Sequence, residues 1–369
     1  MAKFRADHIG SLLRPQALLD AREARGRGEI GDEALAAIED QAILDVLQLQ
    51  KDAGIDVYSD GEFRRTSWVG PLYEHAASGL EQRERNNGYR PDWQGPGAQE
   101  ANSELPIPVV VVADKLKMKG RMTAEESGFL GKHSPGPFKV TMPGPTIYMN
   151  LYDDEASRTP YPDRADYLEE LIGLYRTEVE GQIGDGAAYV QLDSLRYMQV
   201  FTGRVEMTPG VSSAQVFEES LKADNAVLDH AKTFGATTAI HICRGNHRSA
   251  WAASGGYEPV AERLFGELRT DRFLLEFDDE RSGGFEPLRF VPKGKTVVLG
   301  LITTKTPALE DKDMLRRRVD EAAKFVALDD LAISPQCGFA STYLGNLLSV
   351  DEEKRKLQLV AETARSIWG

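Results

Sequence analysis

The fold is decided by the stretch TTAIHICRGN, residues 237–246, in which an apolar run ends in polar side chains. Side chains alternate between the two faces of a β-strand, so a strand over residues 237–243 would place His241 and Cys243 on the same side. Arg244 and the two residues after it then interrupt the apolar run. An imidazole and a thiolate on one face, at the end of a strand, are half of a typical tetrahedral zinc site.

Two other apolar runs carry residues that could complete this site. The second of the two cysteines, Cys337, follows the short run at 331–334, and Glu276 lies within the run FLLEF at 273–277. Buried cysteines are often inert apolar side chains, and Glu276 could instead form a structural ion pair while an acid at 278–280 binds the metal. We predict one zinc site, because all the candidates fall at the ends of predicted strands. Its four ligands are His241, Cys243, Glu276 and Cys337.

Apolar runs alternate with amphipathic stretches of helical periodicity along the chain. The predicted strands are residues 5–11, 55–59, 138–142, 188–192, 237–243, 273–277, 296–302 and 331–334. The predicted helices are residues 15–28, 33–53, 162–184, 212–234, 257–268, 311–327 and 351–367. Nearly continuous apolar strands separated by helices are typical of a parallel sheet that is buried on both faces. Eight such strands predict an α/β fold of the (β/α)8 TIM-barrel class.

The segment between the second and third predicted strands, residues 64–137, is too long for a simple connection. It is rich in glycine, proline, asparagine and charged residues between 78 and 103, and an apolar run follows at 109–113. Apolar and basic residues alternate over 116–121, which predicts a hairpin within this insertion. We therefore predict that residues 1–369 form one barrel domain with a long insertion. The alternative, an open doubly wound sheet, lacks the expected glycine-rich phosphate-binding pattern.

Charge and composition exclude several classes of function. The formal net charge of -14 disfavours nucleic acids and anionic membranes as partners. No apolar run approaches the roughly 20 residues that a membrane span needs, and the N-terminus lacks the apolar region of a signal peptide. With 41% hydrophobic residues, the chain can bury a large core. The two widely spaced cysteines indicate free thiols and a reducing, cytoplasmic location.

Polar residues follow several predicted strands, at the end where barrel enzymes have their active sites. Besides the four predicted ligands, such positions are occupied by Ser11, Glu62, Asp193 and Lys305. Residues that are far apart in sequence would then line one rim of the barrel. Carboxylates at loop starts also cap helices, which is the alternative role of Glu62 and Asp193, and Asp60 competes with Glu62 for the site. For Lys305, the alternative is a simple salt bridge.

Short motifs that include these residues follow one another in a fixed order. They are Ile9-Gly10-Ser11, Asp60-Gly61-Glu62, Pro143-Gly144-Pro145 with Asn150, Gln191-Leu192-Asp193, His241-x-Cys243, Leu275-Glu276 and Pro335-Gln336-Cys337-Gly338. This ordered set resembles the cobalamin-independent methionine synthases, and in particular the short, single-barrel members that match the catalytic half of the long enzymes. The resemblance covers nearly the whole chain and implies a zinc-dependent methyltransferase.

The resemblance also implies roles for individual residues. The four predicted ligands would bind Zn2+, and Ile9, Gly10 and Ser11 would hold the carboxylate of homocysteine. Glu62 and Asp193 would hold its ammonium group. The thiol would be methylated to give methionine, with methyltetrahydrofolate or a methylcobamide as the methyl donor. A free thiol is mostly protonated at neutral pH, and binding to zinc removes that proton, so the site suits a thiol nucleophile.

Two positions that serve the methyl donor in the family have different residues in this chain. Lys305 stands where the long enzymes have a histidine that protonates the leaving pterin, and we predict that Lys305 acts as this acid. The unperturbed pKa of lysine, roughly 10.4, makes it a weak acid near neutrality. The family stacks the pterin on a tryptophan after the asparagine of the third-strand segment, whereas this chain has Leu151 and Tyr152 after Asn150. Asn150 and Tyr152 are therefore the predicted donor-binding residues.

Two other functions are compatible with the same residues. The first is an alkyltransferase that acts on a different thiol, such as a sulfonate thiol of the coenzyme M kind. A sulfonate requires cationic neighbours, so Arg14, Arg64 or Arg65 turned towards the site would favour it. Glu62 and Asp193 favour an amino thiol instead. The second is a non-catalytic barrel with a structural zinc, which predicts a metal closed off by protein ligands and no adjacent pocket.

Overall fold

The computed structural model describes residues 4–83, 92–103, 109–202 and 210–369. Its strands are β1 (Ala76–Arg83), β2 (Val109–Met118), β3 (Lys139–Pro143), β4 (Tyr189–Ser194), β5 (Thr237–Ile242), β6 (Arg272–Glu276), β7 (Thr296–Ile302) and β8 (Leu331–Pro335). Strands β3 to β8 form one parallel sheet in sequence order, and each strand is bonded to the next. Strands β1 and β2 form a separate antiparallel pair. The predicted α/β architecture with a parallel central sheet is therefore confirmed.

The described ranges contain the helices α1 (Gln16–Gly26), α2 (Asp32–Ala53), α3 (Gly70–His75), α4 (Ala98–Ser103), α5 (Ala124–His133), α6 (Arg164–Gly184), α7 (Arg196–Thr202), α8 (Ser213–Thr233), α9 (Ala261–Glu267), α10 (Lys312–Ala322) and α11 (Val350–Trp368). Every helix predicted from periodicity has a counterpart among them. Helix α2 ends at Gly54, whose φ of 84° supplies the left-handed residue that closes a helix. Helix α11 begins with a capping box, in which Ser349 and Glu352 each accept the other's backbone N–H. Within these ranges, no helix combines the length and the apolar character of a transmembrane span.

The first two predicted strands are each reduced to a single parallel bridge. Ala6 pairs with Ile333 of β8, and Tyr58 pairs with Phe138 beside β3. A backbone hydrogen bond of 3.0 Å from the N–H of Asp56 to the carbonyl of Ala6 joins these two segments to each other. Both edge strands of the six-stranded sheet therefore have a neighbour, and the two neighbours contact one another.

A side chain explains why these two segments do not form longer strands. The carboxylate of Asp56 accepts hydrogen bonds from the backbone N–H groups of Arg5, at 2.7 Å, and Ala6, at 2.8 Å. Asp56 thus supplies a side-chain acceptor where a regular ladder would use a backbone carbonyl. Apolar periodicity carries no signal for such a replacement, so the sequence predicted longer strands than the structure has.

Buried apolar side chains form two clusters on the two faces of the sheet. The smaller cluster contains Phe4, Ile9, Val57, Tyr189, Ala239, Leu274, Val298 and Ala332. Its members alternate along the strands with residues of the larger cluster, which packs against the helices. His241 and Glu276 follow Ala239 and Leu274 by two positions and so share their face. Two of the predicted metal ligands therefore lie on the same face of the sheet as the smaller cluster.

The segment between the second bridge and β3 contains the antiparallel pair and lies against the loop after β5. In the pair, Leu80 is opposite Val112. The alternating stretch that predicted a hairpin lies only partly within it, because β2 ends at Met118. Between β1 and β2, Gln94 and Trp251 exchange two backbone hydrogen bonds of 2.9 Å. This contact joins the segment to the loop that follows Cys243.

One buried carboxyl group in helix α11 should make stability depend on pH. Glu353 accepts a hydrogen bond of 2.8 Å from the backbone N–H of Leu13, and burial raises its pKa from 4.5 to about 8. The folded state then binds more protons than the unfolded state between these two pKa values, so stability falls as pH rises through this window. Glu353→Gln mimics the neutral acid. We expect its free energy of unfolding to equal that of the wild type at about pH 4.5 and to exceed it by about 2–4 kcal/mol at about pH 9. Chemical unfolding at both pH values checks this, and a difference that does not change with pH would contradict it.

Candidate metal centre

The four predicted ligands meet at the carboxyl ends of three strands of the sheet. His241 lies in β5, and Glu276 is the last residue of β6. Cys243 and Cys337 lie just beyond the ends of β5 and β8. One ligand atom from each of the four residues lies within 4.8 Å of those of the other three, and the two sulfur atoms are 3.5 Å apart. The residues come together because the carboxyl ends of parallel strands share one edge of the sheet.

The imidazole of His241 is oriented for metal binding. Its Nδ1 lies 3.1 Å from the carbonyl oxygen of Leu274 on the neighbouring strand, which fixes the ring proton on Nδ1. Its Nε2 is buried and has no hydrogen-bond partner among the described residues. A buried nitrogen with an unused lone pair is unfavourable unless it binds something. A hydrogen bond from the other ring nitrogen to a backbone carbonyl is the usual arrangement of a metal-binding histidine.

One of the two cysteines, Cys243, lies where a thiolate is unfavourable without a neighbouring cation. Both Cys243 and Cys337 are free thiols. The neighbouring Cys337 and burial raise the pKa of the Cys243 thiol well above its usual value. The backbone N–H of Gly245 donates a hydrogen bond of 3.2 Å to the Cys243 sulfur. A metal ion would reverse the preference for the thiol, because metals bind the deprotonated form.

The Glu276 carboxylate lies beside the sulfurs as an anion. Its Oε1 accepts a hydrogen bond of 2.7 Å from the backbone N–H of Arg244, and its Oε2 lies 3.4 Å from the guanidinium of Arg281. Burial opposes ionisation of Glu276, but Arg281 and Lys305 outweigh it, and the pKa of this carboxyl group is lowered. Asp278, an alternative ligand, also pairs with Arg281, at 3.0 Å, and is not among the four residues whose ligand atoms come together. The donor set of two thiols, one imidazole and one carboxylate fits a tetrahedral zinc ion.

A cavity that opens in part to solvent lies beside the four ligands. Its walls include three of the predicted ligands and four of the five predicted substrate residues. These are His241, Cys243, Cys337, Ile9, Ser11, Glu62 and Asp193. Among the described residues, the lining contains two carboxylates and neither lysine nor arginine. The cavity is therefore suited to a small ligand that carries a cationic group.

Glu62 reaches the cavity from a strained backbone. Its φ is 61°, in the left-handed region that favours glycine. Its Oε1 accepts a hydrogen bond of 2.7 Å from Thr141 and lies 3.7 Å from Arg65, while its Oε2 is buried without a partner in the described chain. Asp60, the alternative site residue, accepts the backbone N–H of Glu62 at 3.0 Å and does not line the cavity. Strained backbone that persists in a fold is concentrated at functional positions.

Asp193 is the second carboxylate at the cavity and is easily protonated. Burial, with a contribution from Glu62, raises the pKa of Asp193 to about 7 against the opposing effect of His241. Its Oδ1 accepts a hydrogen bond of 2.7 Å from the side-chain amide of Gln191. A cationic ligand group beside Asp193 would favour its ionised form.

Gly10 completes the predicted substrate motif in a conformation that leaves no room for a side chain. Its φ is 133°, and a Cβ there would lie 2.5 Å from Cγ2 of Thr141 and 3.3 Å from Oε1 of Glu62. We expect Gly10→Ala to lower the free energy of unfolding by about 2–4 kcal/mol, through backbone strain and overpacking together. Gly28→Ala is the matched control, because Gly28 has a φ of 74° but nothing within 4 Å of its Cβ, and it should lose only about 1 kcal/mol. Chemical unfolding of both variants is the measurement, and equal losses would show that the contact with Thr141 has no effect.

Three further predicted site residues lie outside the lining of the cavity. Lys305 is buried, and its Nζ lies 3.9 Å from Asp278 and has no hydrogen-bond partner within the described ranges. Asn150 accepts a hydrogen bond of 2.6 Å from Arg196, and the Tyr152 hydroxyl donates to a backbone carbonyl at 3.1 Å. The roles of these residues in acid catalysis and donor binding stay predictions.

Some residues at the cavity have little or no signal in the sequence. Trp93 and Asn246 line it, and so does Trp68, which is a plausible pocket wall from the sequence although a core position is the default for an aromatic residue. Asn246 lies shortly after the end of β5, and its amide donates a hydrogen bond of 2.7 Å to the carbonyl of Gly338, so its place after a strand was an available signal. Trp93 comes from the long insertion, which has no periodicity that would assign its side chain to the site.

Comparison with known proteins identifies the family. A family model described as "Cobalamin-independent synthase, Catalytic domain" matches residues 4–347. The Bacillus subtilis protein YxjH, which is uncharacterized, is 37% identical over 100% of this chain and 95% of its own length.

A Listeria monocytogenes structure to which vitamin-B12 independent methionine synthase function is ascribed is 30% identical, with a TM-score of 0.76 over 100% of this chain and 99% of that chain. A B12-independent methionine synthase from Shewanella sp. W3-18-1, solved in complex with selenomethionine, is 22% identical, with a TM-score of 0.74 over 99% of this chain and 98% of that chain. The predicted family is thereby confirmed: the chain belongs to the cobalamin-independent synthase catalytic-domain family.

Proposed function

We propose that this protein is a zinc-dependent S-methyltransferase that methylates the thiol of homocysteine to give methionine. The observation that carries the proposal is the composition of the cavity. Glu62 and Asp193 face it beside the two cysteine sulfurs, and no lysine or arginine lines it in the described chain. Homocysteine has the matching groups, since its thiol suits the metal and its ammonium group suits two carboxylates.

Different residues of the chain would then bind and orient the different groups of the substrate. A zinc ion held by the four ligands supplies the Lewis acidity that lowers the pKa of a thiol. Glu62 and Asp193 hold the substrate ammonium group, and Ser11 offers its hydroxyl group to the substrate carboxylate. Trp68 and Trp93 line the cavity and would reduce the contact of a bound substrate with water, which would strengthen the electrostatic interactions there.

The selenomethionine in the Shewanella structure supports an amino-acid ligand of this size. Selenomethionine is the selenium analogue of methionine, the product proposed here, and that protein shares the fold of this chain. A methylated product keeps the ammonium and carboxylate groups of the substrate, so the same residues would hold both.

The second candidate function, alkylation of a sulfonate thiol such as coenzyme M, has less support. Arg14 donates to the backbone carbonyl groups of Glu62 and Arg65, and the Arg65 side chain pairs with Glu126 at 2.6 Å. Arg64 bonds acidic residues of helix α2. None of these three arginines lines the cavity. A purely structural zinc has less support as well, because a cavity opens beside the ligands.

Methyltetrahydrofolate and a methylcobamide are both retained as proposed methyl donors. Asn150 and Tyr152 are proposed to contact the donor and Lys305 to act as the acid, on the family resemblance alone. None of the three lines the cavity beside the metal centre. The acceptor side of the proposed reaction thus has structural support that the donor side lacks.

We also infer that the eight strand segments close into a (β/α)8 barrel, with residues 64–137 as an insertion. The bridges from Ala6 to Ile333 and from Tyr58 to Phe138 support this, because they join the two edges of the six-stranded sheet through the first two segments. In such a barrel the four ligands lie at the carboxyl rim, where barrel enzymes have their active sites.

Binding of two thiols to the metal-loaded protein tests the proposed function. We expect calorimetric titration to give a Kd for homocysteine at least about tenfold below that for coenzyme M. In the cobalt-substituted protein, homocysteine should also change the thiolate-to-metal absorption. Tighter binding of coenzyme M would favour the second candidate function, and a metal that responds to neither thiol would favour a structural zinc.

A further inference from the structure

A buried polar chain runs beneath the cavity from Asp7 to Asp193. The ammonium group of Lys139 has no exposed surface and lies 2.7 Å from Oδ1 of Asp7 and 2.8 Å from Oε1 of Gln191. The equally buried amide of Gln191 donates to the carbonyl of Ile9 at 2.6 Å and to Oδ1 of Asp193 at 2.7 Å. Gln191 therefore contacts two residues of the proposed substrate site, on two different segments.

Lys139 determines which way the Gln191 amide points. An ammonium group can only donate hydrogen bonds, so the side of the amide that faces Lys139 must be the carbonyl oxygen. The NH2 group then faces Ile9 and Asp193, and both of its hydrogens are used. With an apolar side chain in place of Lys139, the amide could turn over and present its oxygen to the Asp193 carboxylate, which would repel it.

Packing alone does not require this arrangement. Asp7 has a second cationic partner, Arg272 at 3.2 Å, and accepts a hydrogen bond of 3.0 Å from Tyr189, so it would stay paired without Lys139. Burying an ammonium group is unfavourable, and apolar residues of similar size often stabilise a core equally well. Among the described residues, Lys139 is the one side chain that bonds Oε1 of Gln191. Its position therefore indicates a role in fixing that amide.

We propose that Lys139 and Gln191 are positioning residues that set the preference of the cavity for an α-amino thiol. Gln191, whose amide is oriented by Lys139, donates to Oδ1 of Asp193 from below, so the other carboxylate oxygen of Asp193 is left for the cavity together with Glu62. Gln191 also fixes the carbonyl group of Ile9. This inference rests on the function proposed above, because the substrate ammonium group is what the arrangement would serve.

Gln191→Met tests the positioning role, because the thioether fills the space of the amide but donates no hydrogen bond. In the zinc-loaded protein we expect the Kd of homocysteine to rise about tenfold, the effect of one lost hydrogen bond to a charged group. The Kd of des-amino-homocysteine, which keeps the thiol and the carboxylate but lacks the ammonium group, should change by less than about twofold. Calorimetric titration gives both constants, and metal analysis verifies that the zinc content is that of the wild type. Lys139→Met should act in the same direction, and Gln191→Met suffices if that variant does not fold.

Gln182→Met is the matched control. Gln182 is also a fully buried glutamine, its amide donates to Thr123 at 2.9 Å, and it does not line the cavity. It should leave both constants unchanged. Equal losses for the two thiols in Gln191→Met, or no loss for either, would overturn the positioning role. A wild-type protein that does not prefer homocysteine to its des-amino analogue would overturn the proposed function instead, so the two failures are distinguishable.

Discussion

Replacing Cys337 with serine is expected to lower the affinity of the protein for zinc by more than about 100-fold. Loss of a residue that merely orients a metal ligand already lowers metal affinity by about 10- to 100-fold, and Cys337→Ser would remove a proposed ligand itself. The substitution removes one of two sulfur atoms that lie 3.5 Å apart. The serine hydroxyl that replaces it stays protonated near neutrality and is a poor ligand for zinc. The zinc content per chain after equilibration with a competing chelator is the measurement.

The chain contains a second buried histidine that serves as a control for this experiment. His241→Asn and Cys243→Ser should lose zinc as Cys337→Ser does, whereas His8→Asn should retain it. Nε2 of His8 lies 3.0 Å from the carbonyl of Val57, and His8 is outside the group of four ligands. If either cysteine variant kept zinc with unchanged affinity, that sulfur would not be a ligand, and the proposed activation of a thiol at this centre would lose its basis.

The grouping of the four candidate ligands could be predicted from the sequence because strand periodicity places these residues. Residues two apart on a strand share a face, so a strand predicted over residues 237–243 places His241 and Cys243 on the same side. The carboxyl ends of neighbouring parallel strands share an edge, which brings Glu276 of β6 beside them. The choice of Glu276 over Asp278 could not be made from the pattern, because it depends on where each carboxylate lies in the folded chain, and Glu276 but not Asp278 lies with the other three candidate ligands.

The polar residues beneath the cavity could not be predicted in the same way. Lys139 and Gln191 lie in nearly apolar strands, and a strand that is buried on both faces has no alternation that would assign a polar residue to one of them. The proposed role of Lys139 follows from its contact with Gln191, which is distant in sequence. The roles of Asp56 and Trp93 could not be predicted for the same reason. The contact of Asp56 with Ala6 and the place of Trp93 in the cavity wall exist only in the folded chain.

The double variant Glu62→Gln/Asp193→Asn is expected to weaken homocysteine binding by about 30- to 1,000-fold while the zinc content stays that of the wild type. Removing the negative partners of a buried cation costs about 2–4 kcal/mol, and each 1.4 kcal/mol is about tenfold in Kd. Both substitutions keep the size of the side chain, and an amide at position 193 can still accept the hydrogen bond from Gln191 through its oxygen. Calorimetric titration of the zinc-loaded variant with homocysteine measures the loss.

The same double variant discriminates between the two classes of thiol. Without the two carboxylates the cavity no longer repels an anionic tail, so coenzyme M should bind as well as it does to the wild type or better. Glu178→Gln is the control, since Glu178 is a buried carboxylate that accepts the backbone N–H of Thr123 at 3.2 Å and does not line the cavity. If the double variant lost affinity for homocysteine and for its des-amino analogue equally, Glu62 and Asp193 would support the shape of the cavity without binding an ammonium group. The composition of the lining would then no longer argue for an amino thiol.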